Sequence, residues 1–282
     1  MLKAADNFHL DAASFRAIAE LAYRESGLTL VETKTSMIQS RLRHRLRHLG
    51  LTEFSAYCEL IESDRGLDER SHLISALTTN VSHFFRENHH FDFLKENVKG
   101  RLTDLRNGGR LRIWSAGCSN GQEAFSIAMT LLDVIPDADH LDIRILGTDI
   151  DHKVIQFARL GEFSERLVSG VPKVFLERHF SERLSENAEM KFQVSNQVQS
   201  MVTFNHLNLL APWPMAGLFD MIFCRNVVIY FDQETQNRLW PEFQKKLARN
   251  GSLMLGHSER ISDADRFGFE GCGPTRYRPV SA

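Results

Sequence analysis

Proline is absent from the first 100 residues of this 282-residue chain, and glycine is sparse there. That stretch has few helix breakers. Cysteine is scarce throughout: Cys58, Cys118, Cys224 and Cys272 lie far apart with no CxxC pair. Such spacing excludes a disulfide frame or a cysteine zinc site and points to reduced thiols in a cytoplasm. No apolar run approaches the ~20 residues that a membrane helix needs. The opening MLKAADNFHLDAASF lacks the basic-then-apolar order of a secretory signal, so a cytoplasmic protein is expected. A net charge of −2 excludes a globally basic nucleic-acid binder, although local patches remain open. Histidine is plentiful, but there is no HExxH, and His89 and His90 are neighbours expected to point apart on a helix. No metal site is expected.

Two halves use different patterns. In the first, Phe15, Ile18, Ala19 and Ala22 follow helical spacing after a capping residue, Asp11, and Gly27, Gly50 and Gly66 divide the half into several helices. From residue 110 the short apolar runs LRIWS, DIRILGTD, MVTFNHL, FDMIFCRN and GSLMLGH alternate mostly with helical stretches. Strands alternating with helices predict a parallel sheet covered on both faces. The tail FGFEGCGPTRYRPV reads as two more short strands around a Gly-Cys-Gly-Pro turn. The fold class is therefore α/β: a small all-helical N-terminal domain, then a doubly wound Rossmann-like sheet. Residues 161–200 break the alternation. They offer a helix around PKVFLERHF, polar turns at SENAE, then Met190, Phe192 and Val194 alternating with polar residues, the mark of a half-exposed antiparallel strand. This is either a surface hairpin or a docking subdomain. The expected divisions are 1–76 for the helical domain, 77–109 for a linker and helix that contribute to the site, and 110–282 for the sheet domain with a β insertion at about 178–200.

The turn after the first strand, GCSNGQEAFS, carries the chemistry. In open α/β sheets ligands sit beyond the carboxyl ends of the strands. A phosphate-binding GxxxxGK[ST] is absent, and Gly117 and Gly121 are spaced GxxxG rather than GxGxxG. Glu123 at the start of the next helix would repel a pyrophosphate. The next strand ends at Asp149, placed to accept hydrogen bonds from both hydroxyls of a ribose. A ribose joined to a cationic, phosphate-free portion describes S-adenosylmethionine. A purely structural reading, with glycines for the turn and Asp149 as a helix cap, remains open at this point.

Three further stretches, LTTNVSHFFRENHHF (77–91), FDMIFCRNVVIYFD (219–232) and GSLMLGHSE (251–259), resemble the chemotaxis receptor methyltransferase family. The resemblance runs over nearly the whole chain and in the family's order. It implies an S-adenosylmethionine-dependent protein-glutamate O-methyltransferase that esterifies glutamate side chains of bacterial chemoreceptors, leaving S-adenosylhomocysteine as product. It further implies that Asn80, Ser82 and Arg86 approach the cofactor from the segment between domains, that Glu123 faces its methionine portion and Asp149 its ribose, that Asn208 and Leu209 flank adenine, and that Arg225 and Asn226 close the pocket. The sequence departs from the family at the glycine turn, where members read GEEPYS or GQEPYS and this chain reads GQEAFS. Ala124 gives up a proline that presets φ, and Phe125 keeps a ring but loses a hydroxyl. The chemistry needs no general base, because a glutamate side chain, which titrates at about 4.3 in water, is already ionised at neutral pH. Arg86 is expected to hold that carboxylate in a bidentate fork, and Tyr230, read as the end of an apolar strand, to aim its hydroxyl at the same oxygens or at the cofactor.

The run SRLRHRLRHLG (40–50) is the densest in positive charge. On a helix Ile38, Leu42, Leu46 and Leu49 share one face, flanked by Arg41 and Arg45 on one side and Arg43 and Arg47 on the other. Those arginines would repel a metal from His44 and His48. The resemblance points to docking on acidic methylation helices of the receptor's cytoplasmic part, with no nucleic acid, no membrane insertion and a monomeric enzyme. Two other functions stay open: a non-catalytic cofactor-binding module that contacts receptors, and an RNA methyltransferase using the basic helix. Some family members tether a receptor's C-terminal pentapeptide through the β insertion. SERLSENAE has no glycine, and Glu182, Glu186 and Glu189 would disfavour an acidic peptide, so tight tethering is not expected here.

Overall fold

The computed structural model describes residues 8–184, 187 and 189–280. Four helices form the N-terminal unit: α1 (Ala12–Ser26), α2 (Thr35–Leu49), α3 (Phe54–Glu62) and α4 (Leu67–Leu77). Asp11 caps α1, its carboxylate accepting from the Ala13 and Ser14 backbone N–H groups at 2.8 Å each, while α1 and α2 stop at Gly27 and Gly50. The shared apolar faces bury Ile18, Leu21, Leu42, Leu46, Tyr57 and Leu73 in one core. Among these apolar groups lies a polar knot. Glu69 of α4 accepts from Arg45 Nε at 2.9 Å, from Arg45 Nη2 at 2.5 Å and from the Tyr57 hydroxyl at 2.9 Å. Burial pushes the Tyr57 hydroxyl well above its ordinary pKa, so it stays a donor. Breaking a buried pair strands the remaining charge. Glu69→Ala is therefore expected to lower unfolding free energy by about 3 kcal/mol in denaturant titrations; a loss under about 0.5 kcal/mol would make the knot a surface ornament.

The second unit begins with α5 (His89–Gly100) and α6 (Leu102–Arg106). It continues through β1 (Leu111–Ala116), α7 (Gln122–Val134), β2 (Ile143–Asp149), α8 (His152–Leu160), β3 (Glu162–Ser164), α9 (Glu165–Val168) and α10 (Lys173–His179). The chain then runs through β4 (Phe180–Leu184), β5 (Met190–Val194), α11 (Asn196–Ser200), β6 (Val202–His206), β7 (Phe219–Cys224), α12 (Gln233–Lys246), β8 (Leu247–Leu255), β9 (Phe269–Gly273) and β10 (Arg276–Pro279). Seven strands make the main sheet in the order β6-β2-β1-β7-β8-β10-β9. The first five of that order run parallel, and β10 pairs antiparallel with both β8 and β9. The two-residue period of β1 divides it between layers: Leu111 and Ile113 enter the core shared with α5 and α7, whereas Trp114 and Ala116 enter the core shared with α12. After β1 the chain moves outward to β2 and β6, then returns to β7 on the other side of β1. That reversal opens a crevice at the carboxyl ends of β1 and β7.

The insertion is a separate antiparallel sheet, β3-β5-β4. Its hairpin, β4 with β5, carries the alternation read from the sequence, with Phe192 and Val194 buried. Strand β3 is an addition to that reading; three residues are too few to show a period. Of the insertion's three flagged glutamates, Glu186 lies outside the described residues.

Candidate functional site

The turn that follows β1 is shaped by what it must pass. Gly117 has φ 85°, and a Cβ there would sit 2.3 Å from Val227 Cγ2, so the backbone approaches the turn after β7 as only glycine allows. The Gly117 and Cys118 N–H groups both donate to the Thr148 carbonyl at 2.8 Å, tying the turn to the end of β2. Asp149 stands at that end, 8% exposed. Its Oδ2 accepts from the Ser119 N–H at 2.9 Å and its Oδ1 from the Asp151 N–H at 3.0 Å. The carboxylate as a whole keeps acceptor capacity for a further donor. Burial raises its pKa to about 6, against the pull of those N–H groups.

Glu123 lies in the first turn of α7, its Oε1 accepting from the Ser115 hydroxyl at 2.7 Å and its Oε2 from Arg225 Nη1 at 3.2 Å. Burial raises its pKa, with Arg225 opposing. The Arg225 side chain is 1% exposed. Its other terminal nitrogen reaches Glu87 Oε2 at 3.3 Å and donates to the Arg86 carbonyl, and the guanidinium lies over the Phe91 ring. Glu87 Oε1 in turn accepts from the His257 N–H at 3.1 Å and faces the His257 ring Nδ1 at 3.0 Å. Burial alone would raise the Glu87 carboxyl; Arg225 and the His257 contacts outweigh it and hold the pKa at about 2. A second acid, Glu259, supports the turn after β7 by accepting from the Gly256, Asn226 and Ile229 N–H groups at 2.6, 2.8 and 3.2 Å. Glu87 and Glu259 were not among the expected site residues. Each sits inside one of the three quoted stretches; for Glu259 the available signal was an acid just past an otherwise apolar strand, and for Glu87 only its place beside Arg86.

Asn80, Ser82, Arg86, Glu123, Asp149, Asn208, Leu209, Arg225, Asn226 and Tyr230 all border one cleft of about 1010 Å³, counting the part open to solvent. Ser26 and Leu28 of the helical unit close another wall. Asn80 and Asn208 also span elements: Asn80 Nδ2 donates to Asp151 Oδ2 at 2.7 Å, and Asn208 Nδ2 to the Glu25 carbonyl at 2.7 Å. The Ser82 carbonyl accepts from Gln122 Nε2 at 3.2 Å. Arg86 sits between two residues of positive φ, Phe85 and Glu87, with its side chain 27% exposed. Tyr230 is not at a strand end: β7 stops at Cys224, Asn226 has φ 59°, and Tyr230 closes the following 3-10 turn, where its carbonyl accepts from the Thr29 N–H at 3.0 Å. Phe125 lies away from the cleft, its ring 5.3 Å from Phe204 and 6.0 Å from Phe163, an apolar setting with no use for a hydroxyl.

The arginines of α2 do not border the cleft. Arg41 donates to the Leu77 and Thr78 carbonyls and to the Thr79 hydroxyl, and Arg45 is taken by Glu69. His89 and His90 do not point apart. Their ring centroids are 4.1 Å apart, because His89 opens α5 and its side chain is not yet fixed by a preceding turn. Together with Glu87 they form a cluster within 4.8 Å, but a metal ion there would compete with Arg225 for the Glu87 carboxylate.

The donor set fits S-adenosylmethionine. Among the described residues two carboxylates and no lysine line the cleft, Asp149 retains acceptor capacity for hydroxyls, and Leu28, Leu207 and Leu209 supply apolar surface for a base. An open, mostly parallel sheet whose ligand turn carries carboxylates instead of a phosphate cradle is the build of an S-adenosylmethionine-dependent methyltransferase. The chain belongs to the CheR methyltransferase family: residues 13–78 match its all-alpha domain and residues 80–276 its S-adenosylmethionine binding domain. A probable chemotaxis protein methyltransferase of Rhizobium etli is 46% identical over 92% of this chain and 96% of its own. The chemotaxis protein methyltransferase of Escherichia coli is 38% identical over 94% and 91%. A solved TehB-like methyltransferase of Corynebacterium glutamicum overlays 66% of this chain and 95% of its own at 15% identity, with a TM-score of 0.33, too weak to carry any assignment.

Proposed function

We propose that the chain methylates glutamate side chains on the cytoplasmic helices of chemoreceptors, acting in the cytoplasm. Relatives named as chemotaxis methyltransferases, matched over nearly their full length, support the pathway. The observation that carries the chemistry is Arg86. On the exposed side of the cleft, its fork touches one backbone carbonyl, Val81, at 3.3 Å and the Glu87 carboxylate only at 4.0 Å. Most of that planar donor set is open to a substrate carboxylate.

Bound S-adenosylmethionine supplies an electrophilic methyl group on a sulfonium. In this reading Asp149 holds the ribose hydroxyls, Asn208 and Leu209 flank adenine, and Glu123, kept in place by Ser115 and Arg225, faces the cationic end. Asn80, Ser82 and Asn226 complete the walls. Arg86 and Tyr230 orient the ionised acceptor glutamate in line with the methyl carbon, and positioning is the main contribution asked of the protein. No base is required, since the nucleophile is already deprotonated. The test is to incubate the protein with methyl-labelled cofactor and receptor cytoplasmic fragments, then treat with base. Volatile methanol is expected; base-stable label, or none, would reject glutamate esterification.

Docking through the basic helix is part of this proposal, with Arg41, Arg43, Arg45 and Arg47 supplying its field. Since Arg41 and Arg45 also brace the fold and Arg47 lies over the Phe8 ring, the informative reversal is Arg43→Glu. It should raise KM for receptor fragments about threefold at low salt and flatten its salt dependence, with S-adenosylhomocysteine affinity unchanged. An unaltered KM would leave α2 as a solvated face.

A further inference from the structure

At the end of the cleft bordered by Glu123, Arg225 lies between two carboxylates. Glu123 borders the cleft, but Glu87 does not. The cluster combines two cations, Arg86 and Arg225, with two anions, Glu87 and Glu123, so its charges balance. They are not equally effective. Arg86 is 27% exposed and screened by water, whereas Arg225 at 1% and Glu87 at 10% are shielded from it. The nearby His90 is neutral, since burial, with Arg225 beside it, lowers its pKa to about 3; His257 is exposed and serves Glu87 as a donor.

This arrangement solves a conflict. Arg225 is needed to fix Glu123, yet its own buried positive charge lies close to where a sulfonium must sit. We propose that Glu87 cancels that charge from the side away from the ligand, and so sets the cleft's preference for the charged sulfonium cofactor over its uncharged sulfide product. Glu87 is a positioning residue: it touches neither ligand and acts through Arg225. Its backbone is held at φ 56°, and two contacts from His257 fix the carboxylate where the guanidinium meets it. The inference uses the family's cofactor and does not depend on the identity of the methyl acceptor, so binding measurements decide it even if glutamate esterification fails.

Titration calorimetry with S-adenosylmethionine and S-adenosylhomocysteine supplies the test. Glu87→Gln keeps the shape and the acceptor for His257 but removes the charge. It should weaken S-adenosylmethionine about tenfold and S-adenosylhomocysteine less than about twofold, as one buried charge felt by only one of two ligands would do. Glu87→Asp retains the charge and should keep the ratio of the two affinities within about twofold of the unaltered protein, even where both fall. A purely structural role would weaken both ligands alike in Glu87→Gln. That result, or a ratio that shifts as far in Glu87→Asp as expected for Glu87→Gln, overturns the proposal. Should Glu87→Gln not fold, Glu87→Ala, which also removes the charge, is read by the same ratio: a shift of about tenfold supports the proposal and an unchanged ratio overturns it.

Discussion

Arg86→Ala is expected to lower kcat/KM for methyl transfer by about 10²–10³-fold, the range seen when a single preorganised donor is removed. The fold should be nearly untouched. Among the described residues the side chain's one hydrogen bond is to the Val81 carbonyl, and it is the Arg86 backbone oxygen, which survives substitution, that accepts from Arg225. Arg86→Lys should recover only part of the loss. A lysine restores the charge but not the planar pair of donors that fixes both oxygens of a carboxylate. Turnover with saturating cofactor, alongside S-adenosylhomocysteine affinity, separates orientation of the acceptor from cofactor binding. Full activity in Arg86→Lys would reduce the role to a point charge.

Asp149→Ala should weaken both S-adenosylmethionine and S-adenosylhomocysteine tenfold or more, since hydrogen bonds to a charged acceptor contribute roughly 1.5–3 kcal/mol. Its pH behaviour gives a second, independent readout. Burial lifts this carboxyl from 3.8 to about 6 in the folded protein. The folded state therefore binds the proton more readily than the unfolded chain, and Asp149's contribution to stability declines as pH rises from 3.8 to about 6. Ligand binding runs the other way, because ribose hydroxyls need the ionised acceptor. S-adenosylhomocysteine affinity should fall up to about tenfold per pH unit below the Asp149 pKa. In Asp149→Asn that dependence should disappear. A flat profile between pH values of about 7 and 5 in the unaltered protein would remove Asp149 from the ribose.

The main sheet was legible because its strands are short apolar runs fenced by polar turns, and the site because β2 ends in Asp149 and the helix after β1 carries Glu123 in its first turn. Where the reading failed, the cause was local backbone or distant partners. The run VVIYF reads as strand, but Asn226 in the left-handed region has already turned the chain away from β7. His89 and His90 obey helix geometry only once a helical turn precedes them. Counting positions around α2 places Arg45 on a flank; it does not reveal that Glu69, on another helix, waits beside it. Glu87 and Glu259 escaped notice for the same reason, as their partners are an arginine and backbone N–H groups far along the chain or in a turn.

The cleft's dual parentage has a thermodynamic consequence. Ser26 and Leu28 face the sheet's residues across it, while Asn208 holds the Glu25 carbonyl and Tyr230 the Thr29 N–H. A ligand filling that space favours the state in which the helical unit is docked, and docking in turn favours the ligand by the same factor. A nucleoside bound there would act as removable mortar between two halves of the molecule.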